Sequence, residues 1–144
     1  MEGTVRTLDP EVREGMPEIM ERVIRGITQA HGADYEFSYE RGYRPVINDG
    51  ELTREIEETA WEVVGGENVE VMPPNMGGED FSAYGQRAPS AFYLVGAGNE
   101  GWGITAPHHH PRFDIDEDAL GIGLKMHLAA ALRLLGHERK DAKS

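Results

Sequence analysis

The stretch from Thr4 to Glu40 constrains the chain most. Thr4-Val5-Arg6-Thr7 is short and β-prone. Asp9-Pro10-Glu11 then reads as a helix N-cap, a proline at the first helical position and an acid in the first turn. Val12, Met16, Ile19, Met20, Val23, Ile24 and Ile27 fall on one helix face, which should end near Gly32. Tyr35-Glu36-Phe37-Ser38-Tyr39-Glu40 alternates aromatic and polar residues, the period of a half-buried strand. Residues 2–45 therefore read as β-α-β. Such a crossover places two roughly parallel strands in one sheet with the helix on one face.

Arg44-Pro45-Val46-Ile47-Asn48-Asp49 reads as a linker and helix cap. A second helix carries Leu52, Ile56, Ala60 and Val63 on one face and stops at Gly65-Gly66. Residues 69–72 look like a strand that Pro73-Pro74 ends, and a short helix follows Phe81. Ala91-Phe92-Tyr93-Leu94-Val95 is a buried-strand candidate that opens into the glycine-rich segment 96–103. Asp114–Asp118 leads into a long amphipathic helix ending near Gly136, and the polar tail beyond it is expected to fray.

Composition removes several function classes. The chain has 144 residues, a formal charge of −12 and no cysteine. Disulfide frameworks, zinc ribbons, thiol catalysis and iron–sulfur clusters are excluded. The negative balance disfavours nucleic acid and anionic lipid, which both need a basic surface. No apolar run approaches the roughly 20 residues of a membrane span, and the start MEGTVRTLDP carries no signal region. A cytoplasmic location is expected. The basic residues are 11 Arg and 3 Lys, and an acidic, lysine-poor surface suits a salt-rich cytoplasm.

Three strings invite chemistry. Gly96-Ala97-Gly98-Asn99-Glu100-Gly101 matches G-x-G-x-x-G, but its continuation lacks the helix that would hold a pyrophosphate, so a loop at a strand end is the better reading. Asp114-Ile115-Asp116-Glu117-Asp118 resembles the start of a calcium loop. Such a loop needs Gly at its sixth position and Glu at its twelfth, and Ala119 and Lys125 stand there instead. The acids then read as favourable charges at a helix N-terminus. His108-His109-His110-Pro111 is the most chemical string. Pro111 pushes His110 towards an extended backbone, in which neighbouring side chains point to opposite faces. One imidazole, or the His108/His110 pair, is the realistic ligand count, and a plain surface run is as good a reading. Glu79-Asp80 after Gly77-Gly78 could be a general base, a metal ligand, an outer acceptor or a solvated pair capping a helix at Phe81, and the spacing favours the cap.

Four strings in order carry a family resemblance. They are Glu2–Thr7 with Asp9-Pro10, then Met76-Gly77-Gly78-Glu79-Asp80-Phe81-Ser82, then Ala91–Gly98, and finally His109-His110-Pro111-Arg112-Phe113 with Asp116-Glu117. Residues 2–136 resemble the C-terminal part of aminoacylase/carboxypeptidase-type metal-dependent amidohydrolases, the group that includes hippurate hydrolases, N-acyl-amino-acid amidohydrolases and indole-acetyl-amino-acid hydrolases. The resemblance implies an α/β fold in two pieces. Residues 1–46 would be the second half of a ferredoxin-like β-α-β lid and dimerisation domain. Residues 47–137 would be the C-terminal portion of a zinc-peptidase-like catalytic domain, with 138–144 a polar tail.

The resemblance also implies hydrolysis of N-acyl amino acids by water activated on divalent metal, zinc or manganese, two ions per site. The last metal ligand of such enzymes stands two residues before a proline, which carries over to His109. His108 then becomes a neighbour, and Gly78, Glu79 and Asp80 take outer-shell or substrate-positioning roles. The remaining ligands and the general base belong to an N-terminal portion that has no counterpart here. The resemblance thus implies a chain inactive alone and completed by that portion or a second subunit, with homo-oligomerisation through the lid. A non-enzymatic module that kept the scaffold, binding metal or pairing with a subunit, is the alternative. Neither nucleic acid nor membrane is an expected partner.

Overall fold

Asp9 starts the first helix by direct capping. In the computed structural model, which describes the backbone of residues 1–141 and the side chains of residues 1–136, its carboxylate accepts from the N–H groups of Glu11 (2.7 Å) and Val12 (3.1 Å). Helix α1 runs Pro10–Ala30, and Gly32 follows its end with φ 61°. Asp49 repeats the device, accepting from Glu51 and Leu52, and α2 runs Gly50–Val64 to Gly65 at φ 85°. The positive φ at both glycines is where a side chain would be strained and the helix stops. Helix α3 is the short Ser82–Gly85, and α4 runs Asp118–Asp141. Helix α4 therefore continues past the expected end at Gly136 into the expected polar tail. The last three residues of that tail, 142–144, lie outside the described residues.

The expected strands are corrected. Among the described residues the β pairing is one isolated antiparallel bridge, Asn99 to Ile104. Segments 4–7, 35–40, 69–72 and 91–95 are not paired into ladders, so the half ferredoxin-like β-α-β lid is not formed as a sheet. The side-chain period is nevertheless present. Tyr35, Phe37 and Tyr39 are half-buried while Glu36, Ser38 and Glu40 are exposed, and the Phe37 and Tyr39 rings lie 6.3 Å apart on the same side. A strand needs a neighbour for its N–H and C=O groups, and alternation alone does not supply one.

The chain divides into two units. The first comprises Met1–Ile47 and Met72–Pro89. Within it, segment 35–42 runs back along α1. The Tyr35 hydroxyl donates to Glu21 (3.1 Å) and accepts from Arg25 Nε (3.3 Å), while Arg41 pairs with Glu14 and Arg13 donates to the Gly42 carbonyl. Only part of the α1 apolar face is covered: Met16, Met20 and Ile24 are half-buried, but Val12, Ile19, Val23 and Ile27 are exposed.

The second unit comprises Asn48–Val71 and the residues from Ser90 onward. Here α2 packs on α4. Met126 and Ala130 of α4 and Thr59 of α2 are buried, and the Thr59 hydroxyl donates to the Glu55 carbonyl (2.7 Å). Arg133 of α4 spreads its guanidinium over three glutamates of α2, bonding Glu55 (2.7 Å), Glu62 (3.1 Å) and Glu58. The Asn48 side chain imitates a neighbouring strand, accepting from the Phe92 N–H (2.8 Å) and donating to its carbonyl (2.9 Å). Against the expectation that no membrane-length apolar run exists, Asp118–Gly136 is long and apolar enough to cross a bilayer. Its buried Met126 and Ala130 and its paired Arg133 make it a packed partner of α2.

Met126→Ala should cost about 2–5 kcal/mol of unfolding free energy, read from a denaturant titration. Arg133→Met should lower the melting midpoint because Glu55, Glu58 and Glu62 lose the cation they share, and that loss should shrink in molar salt.

Candidate functional site

The histidine run does not lie on an extended backbone. The His110 N–H donates to the Pro107 carbonyl (3.2 Å), and the Phe113 N–H donates to the His110 carbonyl (2.9 Å). Two consecutive turns result, with His108 and His109 at the centre of the first and Pro111 and Arg112 at the centre of the second. The second is ordinary, since proline suits its first central position. In the first, His109 takes φ 65°, the one positive φ outside glycine among the described residues. Positive φ at the second central residue is the signature of a type II turn, which ordinarily takes Gly or Asn there. The extended expectation fails because Pro111 restrains only His110, whereas the bond back to Pro107 sets His108 and His109.

These turns divide the imidazoles. His110 Nδ1 accepts from the Arg112 N–H (3.1 Å), which occupies it locally. The His108 ring stands edge-on to Phe113, centroids 4.9 Å apart at 87°. The His109 ring is 6.5 Å from that of His108 and makes no hydrogen bond among the described residues. His108 and His109 thus make ring contacts without a side-chain hydrogen bond among the described residues, while His110 is engaged through Nδ1.

Beside the turns, Asn99 and Ile104 exchange both backbone bonds (2.9 and 2.8 Å) and close a small hairpin over the 3₁₀ turn Glu100–Trp102, with Gly103 at φ 73°. The G-x-G-x-x-G string therefore ends in a closed hairpin rather than a helix. Asp116 ties that hairpin to α4. Its N–H donates to the Ala97 carbonyl (2.8 Å), its Oδ2 accepts from Asn99 Nδ2 (2.6 Å) and its Oδ1 accepts from the Asp118 N–H (3.1 Å). An open recess of about 200 Å³ lies between these elements, with Ala97, Ile104, Ala106, His108, Phe113 and Ile115 in its walls.

In the first unit, the Glu79 carboxylate accepts from the Phe81 N–H (3.0 Å) just ahead of α3, and Asp80 is exposed. The Ser82 hydroxyl is buried without a partner among the described residues. Sequence reasoning missed Arg6. Its guanidinium lies against Gly78, where a Cβ would displace it, and it forms no ion pair among the described residues. An unpaired guanidinium is a ready bidentate partner for a carboxylate. The signal was an exposed arginine inside a β-prone string of Glu2–Thr7, which by itself reads as a solvated strand residue. Glu79, Asp80 and Gly78 thus belong to the first unit, and His108 and His109 to the second.

Residues 3–133 match the model of Peptidase family M20/M25/M40. The chain belongs to this family. It is 38% identical over 123 residues to the N-acetylcysteine deacetylase of Bacillus subtilis, covering 85% of this chain and 30% of that protein. It is 33% identical over 134 residues to thermostable carboxypeptidase 1 of Saccharolobus solfataricus, covering 92% and 33%. A segment of 48 residues is 58% identical to the N-acyl-L-amino acid amidohydrolase of Geobacillus stearothermophilus, covering 33% and 13%. The chain spans about a third of the length of the curated relatives it matches. No solved structure matches it.

Peptidases of the M20 family are in general divalent-metal-dependent. A zinc centre takes at least three protein donors. No group of three His, Asp or Glu side chains that could hold an ion occurs among the described residues. The described residues of this M20 chain therefore do not by themselves fit a metal centre, and His109 stands as a single donor.

The hydrogen bonds from Asn99 and from the Asp118 backbone hold the Asp116 carboxyl below the usual carboxylate range. A lowered folded value means that Asp116 stabilises the fold above the ordinary aspartate value of about 3.9 and loses that contribution as pH falls through its own value. The Asn99 side-chain amide signal should stay constant down to that range and collapse below it. In Asp116→Ala the signal should sit at the collapsed position at every pH.

Proposed function

We propose that the chain is the C-terminal portion of an amidohydrolase that cleaves the amide bond of N-acyl amino acids. His109 is the donor that it contributes to a divalent metal centre completed by polypeptide outside it, with zinc or manganese as the metal. The observation that carries this reading is the left-handed backbone of His109. A left-handed conformation costs a non-glycine residue roughly 1–2 kcal/mol, which glycine would avoid. The imidazole is what the residue offers in return. The turn presents it unbonded, while His110 is tied to its own loop and His108 is packed on Phe113.

Amide-bond hydrolases among the relatives support the reaction class. Within the first unit, the Arg6 guanidinium lies against Gly78, and Gly78, Glu79 and Asp80 take outer-shell or substrate-positioning roles in this reading. The apolar faces support completion by a further polypeptide. Leu120, Leu124, Leu128, Leu132 and Leu135 form an exposed stripe along α4. An uncovered stripe of this length is a surface for another chain or segment. The acidic, cysteine-free composition suits a cytoplasmic site of action.

Co-expression with the N-terminal portion of a family member, followed by metal analysis and an N-acyl amino acid hydrolysis assay, tests the proposal. The chain alone should show no turnover, and the complex should bind metal and turn over. His109→Ala should cut the activity of the complex by about a hundredfold or more. Metal content and turnover unchanged in His109→Ala would overturn the ligand assignment. A complex that binds metal without turnover would point to a non-enzymatic module. In the chain alone, His109→Gly should raise unfolding stability by about 1 kcal/mol over His109→Ala, since only glycine relieves the strain.

A further inference from the structure

We propose that the leucine stripe of α4 is a self-association surface, on which a second copy of this chain docks with its own α4 running antiparallel. The face that a completing polypeptide would cover is then held, in the chain by itself, by an identical chain. Leu120, Leu124, Leu128, Leu132 and Leu135 are each 56–73% exposed. At about 3.6 residues per turn they fall within about a third of the helix circumference. That sector lies away from Met126 and Ala130, which are buried where α4 packs on α2.

The spacing of the stripe fits a second copy. The leucines follow one another at four, four, four and three residues, almost the same read from either end. A two-fold axis at Leu128 therefore sets Leu124 opposite the partner's Leu132 and Leu120 close to the partner's Leu135, leucine on leucine throughout. A two-fold contact needs such a self-complementary patch. Gly121 and Ala131, exposed in the same sector, keep the surface low enough for a facing helix to approach.

Area and charge favour the same occupant. Each leucine leaves on the order of 100 Å² uncovered, so two facing stripes bury on the order of 1,000 Å², where specific interfaces begin. Between Ala119 and Leu132 the one Asp, Glu, Lys or Arg is Lys125, in a chain of net charge −12. Copies that repel each other elsewhere meet here with the least opposition. Asp114, Asp116, Glu117 and Asp118 gather at the N-terminal end of α4. Antiparallel pairing holds the two acidic clusters at opposite ends, whereas a parallel pair would set them side by side.

Sedimentation equilibrium of the full 144-residue chain should give the mass of two copies, dissociating on dilution. Leu128→Glu sets two carboxylates face to face on the axis and should raise the dissociation constant by about thirtyfold or more. The Met126 methyl signal should stay in place in that variant, showing that α2 and α4 still pack. Val23→Glu, on the exposed face of α1, should leave the dimer intact. The chain has no cysteine, so single introduced thiols read the register directly. Under mild oxidation Leu128→Cys should link to itself, and Leu124→Cys should link to Leu132→Cys in preference to itself. These links keep the proposal testable should Leu128→Glu unfold. A monomer at every concentration would overturn the proposal and leave the stripe to a completing polypeptide, or to a bilayer if that monomer floats with phosphatidylcholine vesicles. A dimer that survives Leu128→Glu but dissolves in Val23→Glu would overturn it by placing the contact on α1. Preferential linking of Leu124→Cys to itself would overturn the antiparallel register.

Discussion

The seam between α2 and α4 is where the described residues bury apolar side chains, and the second unit depends on it. Met126 and Ala130 lie against a helix whose opposing face carries Thr59, and Arg133 closes the far end over three glutamates. One guanidinium there does the work of screening: without it the α2 glutamates spaced along one face would repel each other and the approaching helix end. Asp49 and Asn48 secure the near end, the first by capping α2 and the second by holding Phe92 through both backbone groups. The seam is apolar at Met126 and Ala130 and polar where Arg133 meets the α2 glutamates. It satisfies one face of α4 and leaves the leucine stripe on another face uncovered.

What the sequence made legible divides along the range of the forces involved. Helices α1 and α2 were readable because their signals are local. Asp9, Pro10 and Gly32, or Asp49 and Gly65, act within a turn of the ends they define. The period-2 burial of 35–40 was equally local and is present. Pairing was not legible, because a ladder is a property of two segments and the alternation of one says nothing about the other. The same limit applied to the histidines. Pro111 restrains its immediate neighbour, but the conformation of His109 is set by a bond from His110 back to Pro107, which no residue preference announces. Arg6 was invisible for a related reason, since its placement against Gly78 joins residues far apart in the chain.

Strain and rigidity complement each other around the second unit's loops. His109 can hold a left-handed backbone because the turns on either side are closed by bonds to Pro107 and His110. The hairpin is closed likewise. Asp116 uses its N–H and both carboxylate oxygens on the hairpin and the start of α4, and its carbonyl accepts from the Ala119 N–H. An acid string that resembled a calcium loop thus works as a joint. Its carboxylate is engaged by a side-chain amide and by a backbone N–H at the helix N-terminus, both of which favour the anion.

That division has a functional consequence. A small open recess needs only walls, which one continuous segment can provide, as residues 95–115 do. A metal centre needs several strong donors at fixed distances, and donors converge only when separate segments are packed together. A chain spanning about a third of its relatives' length accordingly brings no three such donors together among its described residues. The energetic cost of the left-handed His109 is carried by the local hydrogen bonds that close the two turns around it.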